Sequence, residues 1–213
     1  MLRKLTMTAA VLAISAGTLW AKSDITVALQ LEPPHLDPTS AAAGAIDSVL
    51  YSNVFEGLTR FTGDGAIVPG LAASWDISDD GLTYTFTLRE GVTFHDGTTM
   101  DADDVKFSLD RILAEESANA QKALYAAISA VEVIDSQTVR VTLSEANGNM
   151  LFNLAWGDAV IVAPESIENI KQSPIGTGPF KFDIWNQGDR IEMSGYDGYW
   201  GEKPALDKAT FKF

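Results

Sequence analysis

Hydrophobic and polar positions alternate along several stretches of this chain, and each alternation predicts a strand. In "GLTYTFTLREG", Tyr84, Phe86 and Leu88 share one side while Thr83, Thr85 and Thr87 take the other. That is a half-buried strand, with turn chemistry before it ("SDDG") and after it ("REG"). "DITVALQ" (24–30), "AVIVAP" (159–164) and "DKATFKF" (207–213) read as strands as well. "FTGDGAIVPG" gives two short extended pieces around a turn. "VEVIDSQTVRVTL" is a hairpin about Asp135-Ser136, and the segment after "SPIGTG" is a hairpin turning at "NQGD".

A second periodicity predicts helices. Residues 42–59 set Ile46, Leu50, Val54 and Leu58 at four-residue steps. A helix over 102–115 has Asp101 as N-cap, Asp103 and Asp104 in its first turn, and Val105, Leu109 and Ile112 on one face. "NAQKALYAAISA" (119–130) and 148–155 read as further helical stretches, and "LEPPHLDP" (31–38) as a Pro-rich loop. Strands and helices interleaved in this way make an α/β chain.

Composition narrows the setting. Arg3 and Lys4 precede an uncharged stretch to Trp20, and Leu19-x-Ala21 offers a small-residue cleavage site. This predicts a cleavable signal peptide over 1–21 rather than a buried helix or a membrane anchor. The net charge of −14 makes the chain a poor candidate for binding nucleic acid or anionic lipid, because phosphates would be repelled. The chain has no cysteine, so neither disulfides nor a lipid anchor are expected. A freely soluble periplasmic protein, with no membrane insertion after cleavage, is the expectation.

The candidate chemistry is thin. His95-Asp96 in "GVTFHDG" invites a catalytic or metal reading, but His35 is the only other histidine and no G-x-S-x-G occurs. A turn role for Asp96-Gly97 and a packed, partly exposed His95 are favoured, with Phe94 in the core. "DISDDG" begins like a calcium loop, yet its twelfth position is Thr87 inside a strand, so the loop fails. The pairs Asp79/Asp80 and Asp103/Asp104 read as a turn and a helix start rather than glycosidase carboxylates. "PIGTGPF" (174–180) runs into a strand and lacks a phosphate loop's helix, so its glycines admit close backbone approach to another segment or to a ligand. Trp156 beside Gly157 fits a pocket wall and a core position equally well. No catalytic residue, metal ligand or cofactor is expected.

These blocks carry a resemblance. "GLTRFTGDGAIVPGLAASWDISDDGLTYTFTLREGVTFHDGTTMDADDVKFSLDRI" (57–112) closely resembles the signature region of the family 5 extracellular solute-binding proteins, the oligopeptide-, dipeptide- and nickel-type receptors of ABC importers. "EPPHLDP", "PIGTGPFKF" and "GYDGYWGEKPALDKATFKF" match further blocks in the same order, so the likeness covers residues 24–213. Members are about twice this length, and the chain resembles their N-terminal part only.

The resemblance implies a binder rather than an enzyme, with a type II periplasmic-binding-protein fold. Its first lobe has a mixed sheet built from residues 22–58 and 166–213. An α+β subdomain over 59–165 is inserted, and the second lobe follows where the chain stops. Ligand contacts are then expected at His35, Tyr51, Trp156, Ile175, Gly176 and Thr177. The expected partners are a small peptide or similar solute and an inner-membrane ABC permease, with the chain itself a monomer. Nickel complexes, opines and oligosaccharides stand behind peptides as solutes. A non-transport receptor or chaperone-like carrier, a secreted hydrolase on the same scaffold, and a truncated, partly folded product stay open as alternatives.

Overall fold

The computed structural model describes residues 23–41 and 43–213. The expected signal peptide, and Ala42 in the first expected helix, lie outside the described residues.

One four-stranded mixed sheet has β1 (Asp24–Ala28), β10 (Lys208–Lys212), β9 (Arg190–Gly195) and β8 (Phe180–Asn186) in that order. β1 runs parallel to β10, and the other pairs are antiparallel. The pleat puts Ile191, Met193, Ala209 and Phe211 on one face. That face packs under Leu36, Ile46, Val49, Leu50 and Phe55, giving one core. The opposite face carries an ion ladder, Lys208–Glu192–Arg190, with both contacts at 2.5 Å. The hairpin β8–β9 turns through Gln187–Asp189, as its "NQGD" predicts.

The second sheet is antiparallel, in the order β4 (Ala72–Ile77), β5 (Thr83–Leu88), β7 (Thr138–Leu143), β6 (Ile128–Asp135). Tyr84, Phe86 and Leu88 are buried as their alternation requires, beside Val139, Val141 and Leu143. Helix α2 (Ala102–Leu113) covers this sheet with Val105, Leu109 and Ile112. Its start is a capping box. The Asp101 side chain accepts from the Asp103 N–H at 2.9 Å, and Asp104 accepts from the Asp101 N–H at 2.9 Å. A two-stranded ribbon of β2 (Thr59–Phe61) and β3 (Ile67–Pro69) leads into it.

Three expected elements differ. Helix α1 ends early, spanning Gly44–Leu50, because Tyr51 is extended and Ser52 sits at φ 59°. The apolar steps still hold: Val54 and Leu58 are buried, but in a folded-back turn whose residues divide between the two cores. Residues 119–130 form only a 3-10 turn at Lys122–Tyr125, and Ile128–Ala130 already belong to β6. "AVIVAP" forms no sheet strand, although its alternation is real. Ala159, Ile161 and Ala163 point into the α2 core while Val160 and Val162 point into the other. The segment is a wall shared by both cores, and the short helix α3 (Met150–Asn153) leads to it.

The glycines of "PIGTGPF" close the fold. The Gly178 and Phe180 N–H groups donate to Val54 and Asn53 carbonyls at 2.9 Å each. A Cβ on Gly178 would lie 2.3 Å from the Asn53 carbonyl oxygen, and one on Gly176 2.0 Å from that of Val54. Both obstacles are backbone, so neither can swing aside. Gly178→Ala should therefore cost about 2 kcal/mol or more through overpacking. A lower urea midpoint with unchanged slope would show it.

Candidate functional site

The residues nominated for contact gather, with one exception, at the junction between the two cores. The exception is His35, half-buried on the loop before Asp37, whose Nδ1 accepts from the Asp37 N–H at 3.2 Å. Tyr51 follows α1, and its hydroxyl donates to the Ala155 carbonyl. Trp156 is 40% exposed and forms an edge-to-face cluster with Phe61 and Phe152, ring centroids 5.1–6.1 Å apart. Phe152 is exposed as well. Ile175 is half-buried against the α2 core, Gly176 is packed on Val54, and Thr177 has no exposed surface.

Thr177 leads to a residue that the sequence pattern does not single out. Glu56 is buried, and its carboxylate accepts three hydrogen bonds: from the Thr177 hydroxyl (2.9 Å), the Trp200 indole N–H (2.9 Å) and the Tyr199 hydroxyl (3.0 Å). Burial pushes its pKa up, and the three donors pull against that shift. Behind it, the Arg89 guanidinium lies 4.3 Å from the centre of the Trp200 ring and donates to the Gly70 carbonyl at 2.6 Å. A cavity of about 50 Å³, one water or so in size, separates Glu56 from Tyr51 and Arg60. The available signal was a lone acid in the apolar run "NVFEGL", a position where an acid has to find partners.

His95 is a clamp. Its Nδ1 accepts from the Gly176 N–H at 3.3 Å, which leaves the proton on Nε2 to donate to the Gly178 carbonyl at 2.9 Å. Its own N–H donates to the Gly176 carbonyl at 2.9 Å, and the Tyr196 ring meets it edge-on. Asp96 caps its turn by accepting from Thr98, and Gly97 takes φ 91°. "GVTFHDG" therefore fastens the inserted sheet to the "IGTG" loop. Among the described residues no group of three His, Asp or Glu side chains is placed to hold a metal ion. No helix there is long and apolar enough to cross a membrane.

A mixed sheet and an antiparallel sheet coupled through one wall of chain is an arrangement shared with part of the fold of solved periplasmic binding proteins. The chain belongs to the bacterial extracellular solute-binding proteins of family 5: residues 66–213 match the model of that family's middle part. It is 35% identical over 205 residues to the glutathione-binding protein GsiB of Pectobacterium atrosepticum, covering 94% of this chain and 40% of that one. GsiB of Escherichia coli K12 is 34% identical over 207 residues, with the same coverage. Among solved structures, AgaA in complex with agropinic acid, from A. tumefaciens R10, superposes with a TM-score of 0.85 at 35% identity. That match covers 89% of this chain and 39% of AgaA. DppA from Helicobacter pylori in complex with the peptide STSA gives 0.80 at 31% identity, over 89% and 42%. The chain thus spans about 40% of the length of the relatives it matches.

Two measurements follow. Glu56→Ala strands three donors, that of Thr177 fully buried and those of Tyr199 and Trp200 partly so, and should destabilise the protein by about 3 kcal/mol, read from denaturant unfolding. The second concerns His95, whose pKa burial holds down at about 4, against an ordinary 6.5. The unfolded chain therefore takes up the proton first, and the contribution of neutral His95 is complete above pH 6.5 and lost as pH falls toward 4. Asp104 and Asp158, each raised to about 6 chiefly by burial, act in the opposite direction over the same range. The wild-type profile alone is therefore shallow. The stability difference between wild type and His95→Gln should grow by up to about 3 kcal/mol from pH 4 to pH 6.5, then stay flat.

Proposed function

We propose that this chain belongs to the solute-capturing component of an ABC importer, an exported periplasmic receptor that takes a peptide-like solute and passes it to an inner-membrane permease. The observation that carries this reading is the aromatic cluster in which exposed Phe152 and Trp156 pack edge-on with half-buried Phe61. Large aromatic side chains left uncovered beside polar groups suit a ligand wall, since ligand sites are mostly apolar with a few oriented polar groups. An open cavity of about 340 Å³ supports the reading; Ala45 and Ser48 of α1 line it with Ala28 to Leu31. The names of the relatives, which bind glutathione, an opine acid and a peptide, favour small polar solutes with ionised ends.

In this reading the first lobe comprises residues 22–58 and 166–213, with 59–165 inserted, and the receptor acts as a monomer. Tyr51 and Trp156 are the contacts best placed for it. The buried Gly176 and Thr177, with Ile175, support the wall from behind, and His35 lies at the edge of the lobe. The solute is held without chemistry being done on it.

Thermal-shift screening of the protein expressed from its own gene, against peptides, opines and metal chelates, tests this. A true solute at a hundred times its Kd should add about 2.7 kcal/mol to native stability and raise Tm. No stabiliser in any class would refute the receptor reading.

A further inference from the structure

One asparagine of this chain is arranged to react. The loop between β7 and α3 reads "SEANGNM" (144–150), and Asn147 alone among the asparagines is followed by glycine. Its Oδ1 accepts the Asn149 N–H at 3.0 Å. Its backbone carbonyl accepts the Met150 N–H at 3.0 Å and the Tyr84 hydroxyl at 3.2 Å. Gly148 is exposed, and a Cβ added there would meet no atom within 4 Å beyond its chain neighbours. Among the described residues, neither the Gly148 N–H nor the Asn147 side-chain amide donates a hydrogen bond.

The other asparagines are held differently. The side-chain amides of Asn53, Asn119 and Asn153 donate to the carbonyls of Val49, Asp158 and Leu124 at 2.9, 2.8 and 3.0 Å. Asn149 shares the exposed turn, but the N–H that follows it, that of Met150, is already engaged by Asn147. Asn169 and Asn186 precede Ile170 and Gln187, whose Cβ atoms crowd the amide nitrogen that a glycine leaves open.

We propose that Asn147-Gly148 is a site of spontaneous deamidation in the folded protein. Hydroxide takes the proton from the Gly148 amide nitrogen, and that nitrogen bonds to the Asn147 Cγ. The Cγ–Nδ2 bond breaks, Nδ2 leaves as ammonia, and a succinimide remains. Water opens this ring at either carbonyl, giving an aspartyl or an isoaspartyl residue. Overall a water is consumed and an ammonia released, with nothing oxidised or reduced. Each contact at the site fits a stage of this sequence. The absent Cβ leaves the nitrogen uncrowded, and its N–H gives up no protein hydrogen bond when it ionises. The Asn149 N–H stabilises the charge that develops on Oδ1 as the ring closes. Both products place a carboxylate where a neutral amide stood, and the isoaspartyl form also lengthens the main chain by a methylene. That change falls in the turn that starts α3, which carries Phe152 of the aromatic cluster.

Peptide mapping by mass spectrometry tests the assignment. The protein expressed from its own gene is incubated folded at mildly alkaline pH, beside the capped synthetic peptide SEANGNM and the variants Gly148→Ala and Asn147→Gln. Residue 147 should convert before every other asparagine, at a rate no lower than in the free peptide, with isoaspartate among its products. Gly148→Ala should slow conversion at 147 severalfold, and the open space around Gly148 lets the variant keep its fold. Asn147→Gln should leave that segment unmodified over the same period. A slower rate in the folded protein than in the peptide means that the fold protects the site, and overturns the proposal. Another asparagine reacting first, or Gly148→Ala converting at the wild-type rate, overturns it as well. Should a variant fail to fold, the comparison of wild type with the peptide decides.

Discussion

The buried carboxylate of Glu56 holds this structure together. A carboxylate out of water is tolerable only where donors replace the solvent, and here three side chains do so. They come from Thr177 in the glycine loop and from Tyr199 and Trp200 near the C-terminal strand. The backbone of the same residue accepts the Ile161 N–H at 2.9 Å, which fixes the wall between the cores. One residue therefore joins four segments distant in sequence, and their convergence places Tyr51 opposite Ala155 and Trp156. Loss of the carboxylate would remove bonds and also leave buried donors without acceptors, the more expensive consequence.

The two cores are coupled through backbone rather than through a soft apolar interface. Ala159 to Val162 alternate between them, and Ser108 of α2 accepts the Val162 N–H at 2.9 Å. Gly176 and Gly178 admit contacts that no side chain would allow, and His95 grips the same loop from the inserted sheet. Asp37 adds a further tie. Burial alone would raise its pKa, but Thr39 and the Arg111 guanidinium outweigh burial and hold the carboxyl below its usual range. Such ties suit a rigid platform, because they hold the segments between the two cores in one arrangement.

Much of this was legible from periodicity. The alternation at Tyr84, Phe86 and Leu88 gave β5, the Asp101 cap gave the start of α2, and "NQGD" gave the β8–β9 turn. What failed was local pattern read without its tertiary partner. The four-residue steps from Ile46 to Leu58 marked burial correctly, yet the chain serves two cores by turning at Ser52 instead of continuing as helix. "AVIVAP" alternates because two cores flank it, not because a sheet does. At the candidate site, Trp156 was legible as an aromatic beside glycine, and Tyr51 only through the family resemblance. Glu56 was not, because its meaning lies in its partners, and those are up to 144 residues away in sequence.

The buried acids of this chain serve the fold through their partners. Glu56 and Asp37 are buried with full sets of partners, as groups are when their task is to hold a fold. Asp104 is buried within a capping box and so serves α2. Asp158 is 5% exposed on the turn that follows Trp156, and burial raises its pKa to about 6. The dense set of ties around Glu56 and His95 fixes the junction between the two cores, because each tie joins segments that only the fold brings together.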